Sequence, residues 1–360
     1  MVRFFCRGRA PVIGAGRGRQ MSRIATPALG RRAFLRALGV AGGALAAPGL
    51  WAPAPALARA ASRVRAVEAS DIGVTLKIEL SNAPFPCDGA PYQDATAMVF
   101  VPAHYRAPES DELDLVIHFH GHVTTAERAI AAHKLREQLH ESKQNAVLVV
   151  PQCAVNAAES PPGKLGQKGG LRRLCGELAS VLASPSARRA LGDRAIPRKA
   201  RLGRLCLSAH SGGYRVAAAC LRHGGCEVNE VYLFDALYGE VDAFRDWVLE
   251  RKGRTGRDRH KLISHFVAGD VRRLNLELER ALEAQGVACL HERRPGELTR
   301  KQLLDGRAIF IQVPLAHSAV TFEQNAFRDC LFASGFRRQL RSSWFKKKDE
   351  PRRIDVRRGS

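Results

Sequence analysis

The chain has 360 residues, 45% of them apolar, with 57 Lys and Arg against 35 Asp and Glu for a formal charge of +22. That length and apolar share exclude a disordered or low-complexity protein and supply enough apolar surface for one well-filled core. The charge sits at the ends: residues 1–60 hold 10 Lys and Arg and no acid, and Arg337 to Ser360 hold 10 basic and 3 acidic residues, so the body between carries only +5.

In chain order, GRRAFLRALGVAGGALAAPGL comes first. It pairs Arg31 and Arg32 with Phe34 and Leu35, then runs into a weakly apolar Gly/Ala segment. It ends in ALARA, where Ala58 and Ala60 have the small-residue spacing of a cleavage site. Residues 1–60 therefore read as an N-terminal extension and a twin-arginine export signal, with Met1 and Met21 both open as the start. The apolar run is short and broken by Gly and Pro, which argues against a spanning helix. Export in the folded state implies the twin-arginine translocase as a partner and a periplasmic or secreted location in a bacterium. Such a compartment permits disulfides. The spacings of the 9 cysteines contain no CxxC, which argues against a zinc ribbon, and Cys220 and Cys226 are near enough in sequence to pair.

After the signal, IGVTLKIEL, ATAMVFVP and LDLVIHF read as three strands. A helix is expected over TTAERAIAAHKLREQLHES, capped by Thr124 or Thr125. NAVLVVPQ is a short buried strand. A Pro/Gly/Lys loop from Ala157 to Gly170, long enough to form part of a lid, leads to helical LRRLCGELASVLAS. Strand LGRLCLSAH, helix RVAAACLRHG, strand EVYLFD, helix VDAFRDWVLERK, strand KLISHFVAGD, helix VRRLNLELERALEAQG, strand AIFIQVP and helix FEQNAFRDCLFASG complete the order. Strand and helix alternate, and the strands are almost continuously apolar. This predicts an α/β fold, a mostly parallel central sheet with helices on both faces and an antiparallel first edge. One domain, residues 61–336, accounts for the pattern. Residues 337–360 are expected to form a basic, solvated tail, a candidate contact for an anionic envelope surface. The run KKKDEPRRIDVRRGS has no interleaved aromatic residues, so nucleic acid is not an expected partner.

Two stretches carry chemistry. AHSGG, Ala209 to Gly213, lies between a strand and a helix with Ser211 at its centre. Small residues two before and two after are what a nucleophile on a strained strand-to-helix turn requires. His317 follows the last strand, where a loop can return it to Ser211. Asp235 and Asp270 both end strands between these two, so either completes the order Ser, Asp, His. Asp270 runs straight into a helix and reads equally as its N-cap. Asp235 closes a strongly apolar strand and needs a buried partner, so it is the favoured acid and Asp270 the alternative. His210 and Tyr214 flank the serine, and Phe244 with Trp247 reads as a core helix face.

The other stretch is VIHFHGH. His118, His120 and His122 alternate, and on a strand three such imidazoles can converge on one ion. A metal-dependent hydrolase, perhaps with Asp235 as a ligand, is therefore one alternative. Against it, His122 follows Gly121 beyond the apolar run, and no Asp-His follows. A second alternative is a non-catalytic protein that binds an envelope polymer.

HFHGH after the third strand, AHSGG, a later strand-end aspartate and the loop AHS with His317 together resemble the α/β-hydrolase superfamily over roughly Thr96 to Ser334. Ala209 departs from its usual first glycine. The resemblance implies an α/β-hydrolase-like fold and an exported serine hydrolase that cleaves an ester, or an amide, through an acyl-enzyme. It implies Ser211, His317 and Asp235 as catalytic residues. His120 and Gly121 match its oxyanion-hole segment, with the N–H of Gly121 or His122 and that of Gly212 as donors. No cofactor or metal is called for, and the partner is a small-molecule or polymeric ester.

Overall fold

A computed structural model describes residues 61–81 and 90–352, all in one compact unit. The export-signal reading lies outside the described residues. The strands are β1 (Arg63–Ser70), β2 (Gly73–Glu79), β3 (Thr96–Pro102), β4 (Glu112–Phe119), β5 (Val147–Pro151), β6 (Arg201–His210), β7 (Glu230–Phe234), β8 (Lys261–Phe266), β9 (Cys289–Glu292) and β10 (Ala308–Gln312). The helices are α1 (Ala126–Ala132), α2 (Leu135–Ser142), α3 (Gly170–Leu182), α4 (Pro185–Leu191), α5 (Tyr214–His223), α6 (Val241–Glu250), α7 (Asp270–Ala284), α8 (Arg300–Asp305), α9 (Ala326–Phe332) and α10 (Ser343–Lys346).

All ten strands join one sheet in the order β1-β2-β3-β5-β4-β6-β7-β8-β10-β9. The β1–β2, β2–β3 and β3–β5 pairs are antiparallel. Every later pair is parallel. The fold is the α/β-hydrolase-like class that the sequence implies.

Strand alternation divides the core in two. Leu115 and Ile117 of β4, Leu205 and Leu207 of β6, and Val231 and Leu233 of β7 face one side, packed with α3 through α7. Val116, Cys206, Tyr232 and Phe234 face the other, packed with α1, α2 and α8 through α10. Each face of the sheet is thus covered, which is why these strands lack polar alternation. Phe244 and Trp247 lie on the buried face of α6, and Trp247 stacks on His260 at 4.5 Å.

Three expectations need correction. The helix expected from Thr124 to Ser142 is two helices, because Lys134 takes a left-handed backbone with φ +50°. Cys220 and Cys226 are both free thiols. Cys220 is carried into the core by α5, and Cys226 instead shares a hydrogen bond with Cys175. The solvated tail does not begin at Arg337. Arg337 reaches Glu112 at 3.0 Å and the buried Asp114 at 3.1 Å. Trp344 stacks on Phe332 with ring centroids 5.2 Å apart, and Arg352 pairs with the buried Glu292 at 2.5 Å. Among the described residues, the buried Asp114 and Glu292 have no ion-pair partner besides these arginines. Residues 353–360 lie outside the described residues.

Candidate active site

Ser211 stands at the end of β6 with φ +52°, a left-handed conformation uncommon for a residue with a side chain. Close packing fixes it there. A Cβ on Gly121 would meet the Ser211 Cβ at 2.8 Å, and one on Gly213 would meet the Phe119 carbonyl oxygen at 2.4 Å. A Cβ on Gly212 would collide with the His122 ring and lie 2.7 Å from Ser160 Oγ. The turn after β6 is therefore wedged against the segment after β4, and only glycine fits at the contact points. That segment is held in turn: the Val123 N–H donates to the Ala157 carbonyl at 2.9 Å, and the Asn156 N–H to that of Thr124 at 3.1 Å. The loop from Ala157 so forms part of the site's wall, with Ser160 buried against it.

Asp235 follows β7, also with positive φ, +45°. His317 lies in a short turn after β10. Its Nδ1 donates to Asp235 Oδ2 at 2.6 Å, and the other carboxylate oxygen accepts the Val267 N–H at 3.0 Å. The carboxylate is 1% exposed, the imidazole 42%. With Nδ1 as donor, Nε2 keeps its lone pair and can take a proton. The Tyr238 hydroxyl lies 3.5 Å from Asp235 Oδ2 and 3.4 Å from His317 Nδ1. Asp270 is elsewhere: it begins α7, is 84% exposed, and lies 3.6 Å from Arg273.

The three alternating histidines do not converge. His118 is buried in β4, its Nδ1 2.8 Å from Ser208 Oγ. His120 Nε2 accepts from the Cys153 N–H and the Gln152 amide, both at 3.0 Å, and its Nδ1 donates to the Gly121 carbonyl at 2.8 Å. Both ring nitrogens are therefore committed to holding the shape of the loop. His122 has left the strand and lies over Gly212. No group of three or more His, Cys, Asp or Glu side chains among the described residues could hold a metal ion.

A column of imidazoles supports His317 from below. His210 lies 4.7 Å from the His317 ring and 4.5 Å from that of His133, which is 5.9 Å from His118. His210 Nε2 donates to the His317 backbone carbonyl at 3.1 Å. Burial pushes His210 down to about 4 and His118 and His133 well below the usual histidine range. The column is therefore uncharged at neutral pH. Sequence reasoning missed His133 and Tyr238. Tyr238, three residues beyond Asp235, is the one that spacing could have flagged, whereas nothing local marks His133.

No protein-family model matches the chain, and no curated protein matches it. Among solved structures it is similar to a ferulic acid esterase, with a TM-score of 0.42 and 14% identity over 66% of this chain and 91% of that one. It is also similar to an S-formylglutathione hydrolase from Agrobacterium tumefaciens, with a TM-score of 0.40 and 12% identity over 74% and 96% of the two chains. A feruloyl esterase module from Clostridium thermocellum gives 0.41 and 14% over 76% and 94%. At such low identity the chemistry has to be read from the side chains themselves.

Proposed function

We propose that this chain is a serine hydrolase of carboxylic esters, with Ser211 as nucleophile, His317 as general base and acid, and Asp235 as the acid that orients it. The observation that carries the reading is the 2.6 Å bond from His317 Nδ1 to Asp235 Oδ2, with the His317 ring 4.7 Å from that of His210, the residue before Ser211 in its left-handed turn. A buried carboxylate gripped by a backbone N–H and an imidazole fixes the tautomer in which Nε2 is the free base.

In this reading His317 Nε2 takes the Ser211 hydroxyl proton as Oγ attacks the ester carbonyl. The carbonyl oxygen becomes an anion, met by the N–H of Gly212 and that of Gly121 or His122. Each such donor is worth on the order of 3 kcal/mol. The intermediate expels the alcohol, which receives the proton from His317, and an acyl-enzyme remains. Water, deprotonated by the same imidazole, attacks the acyl carbon and releases the acid. His120 has a positioning role, since its two ring nitrogens pin Gly121 and Cys153. The exposed Tyr238, beside His317, and Val123, in the segment after β4, offer apolar surface for the acyl or alcohol group.

The signal over residues 1–60 would send the folded enzyme through the twin-arginine translocase to the periplasm or out of the cell. Turnover of short-chain nitrophenyl esters by the full chain and by Ser211→Ala tests the activity. Hydrolysis that survives in Ser211→Ala would refute the assignment of the nucleophile.

A further inference from the structure

At the end of the parallel strands opposite Ser211, a cavity of about 520 Å³ opens beside the starts of β6, β7 and β8 and the segment after α9. Glu230 and Lys261 are register partners there, separated from Asp235 by about 16 Å of strand. The cavity is in the size range of small-ligand sites.

Its lining is basic, and its acids are already matched. Glu230 accepts from Arg204 at 3.3 Å and from the Gly335 N–H at 2.6 Å. Asp305 is paired with Lys301, and Arg337 is taken up by Glu112 and Asp114. Arg257, Arg259, Lys261 and Arg338 line the same space, and among the described residues none of them has a carboxylate partner. Lys261 is 3% exposed, with its ammonium held by the carbonyls of Leu303 at 2.6 Å and Ala333 at 2.5 Å. Among the described residues, the buried Nε–H groups of Arg204 and Arg259 have no hydrogen-bond partner. Partial desolvation and the neighbouring Arg257 lower the Arg338 pKa, and burial lowers Lys261 to about 8. Like charges and unmet donors gathered in one concave space are unfavourable unless an anion completes them.

We propose that this cavity binds a small multivalent oxyanion, a phosphate-bearing molecule gripped by Arg257, Arg259 and Arg338 above Lys261. Guanidinium forks match phosphate oxygens two at a time, and several of them favour a ligand with more than one phosphate. The inference is independent of ester hydrolysis, because the cavity and Ser211 lie at opposite ends of the strands.

The test is calorimetric titration of the full chain with pyrophosphate at constant ionic strength. The expected result is saturable one-site binding that weakens about tenfold or more in Arg257→Gln/Arg338→Gln and is unchanged in Arg189→Gln/Lys199→Gln, which removes as much charge from the exposed surface elsewhere. Arg257 and Arg338 are exposed but Arg257 donates to the Gly335 carbonyl at 2.5 Å and Arg338 lies 3.4 Å over the Phe345 ring, so thermal melts of the double variant accompany the titration. If it does not fold, Arg338→Gln alone is compared with Arg189→Gln alone. Phosphatidylglycerol vesicles that bind the chain and compete with pyrophosphate would identify the phosphate source as a lipid headgroup, and vesicles that do not compete would identify a soluble one. Absence of saturable binding, or equal weakening in both double variants, would overturn the proposal.

Discussion

Asp235 Oδ2 and His317 Nδ1 stand 2.6 Å apart, although 82 residues separate them in sequence. The carboxylate is closed off from water while the imidazole remains open, so one side of the pair is fixed and the other is accessible. Asp235→Asn removes the acceptor that sets the tautomer. Ester turnover should then fall by about 10³- to 10⁴-fold. Asp270→Asn, on an exposed carboxylate of α7, should leave the rate within about twofold. Equal losses in the two variants would contradict the assignment of Asp235.

The contact between Gly121 and Ser211 predicts a separation of activity from stability. A methyl group on Gly121 would meet the Ser211 Cβ at 2.8 Å, displacing the proposed nucleophile and the proposed oxyanion segment together. Gly121→Ala should lower turnover about 10²-fold or more. The overpacking should destabilise the fold by roughly 1–3 kcal/mol. Parallel kinetics and thermal melts check both. Unchanged kinetics would mean that the segment after β4 does not shape the site.

The imidazole column predicts acid sensitivity. Burial holds His210 down to about 4 and His133 well below its ordinary value. Between the unfolded histidine value, about 6.5, and about 4, the unfolded chain binds protons that the folded chain does not. Stability is therefore fully present above about pH 6.5 and falls as the pH drops through this window. Each histidine contributes a slope of up to about 1.4 kcal/mol per pH unit. His133→Leu should flatten the fall in melting temperature between pH 6.5 and 4. A slope as steep as the parent's would show that His133 does not titrate on unfolding.

The C-terminal segment predicts a stability effect far from the chemistry. Arg352 is 2% exposed, pairs with the buried Glu292, and lies 3.7 Å from Asp329. Arg352→Gln leaves Glu292 buried without its cation, a loss of about 3–5 kcal/mol. Denaturant unfolding measures it. A shift below about 0.5 kcal/mol would mean that the segment after Phe336 does not help hold the fold together.

The inner strands of the parallel sheet were legible because each is buried on both faces and so reads as an apolar run, whereas the edge strand β9, only part-buried over Cys289–Glu292, was not. The strand-end positions of Ser211, Asp235 and His317 were legible because each closes a strand or follows one, and parallel topology brings such ends together, as in the Asp235–His317 bond. β1 was not, since seven of its eight residues are exposed and its pairing with β2 leaves no apolar alternation to read. The break at Lys134 was hidden because a left-handed lysine carries no compositional mark. The ordered segment after Arg337 looked like a solvated end because its arginines are matched by Glu112, Asp114 and Glu292, partners that only the folded chain supplies. VIHFHGH suggested a metal site through its spacing. Its rings serve other ends because His118 stays within the sheet, His120 braces a loop and His122 lies beyond the strand.

The most direct test of the central claim is covalent labelling. The full chain would be incubated with a fluorophosphonate, digested, and the adduct located by mass spectrometry. The account predicts one adduct, on Ser211, lost in Ser211→Ala and much slower to form in His317→Gln. An adduct on another residue, or labelling that persists in Ser211→Ala, would contradict it.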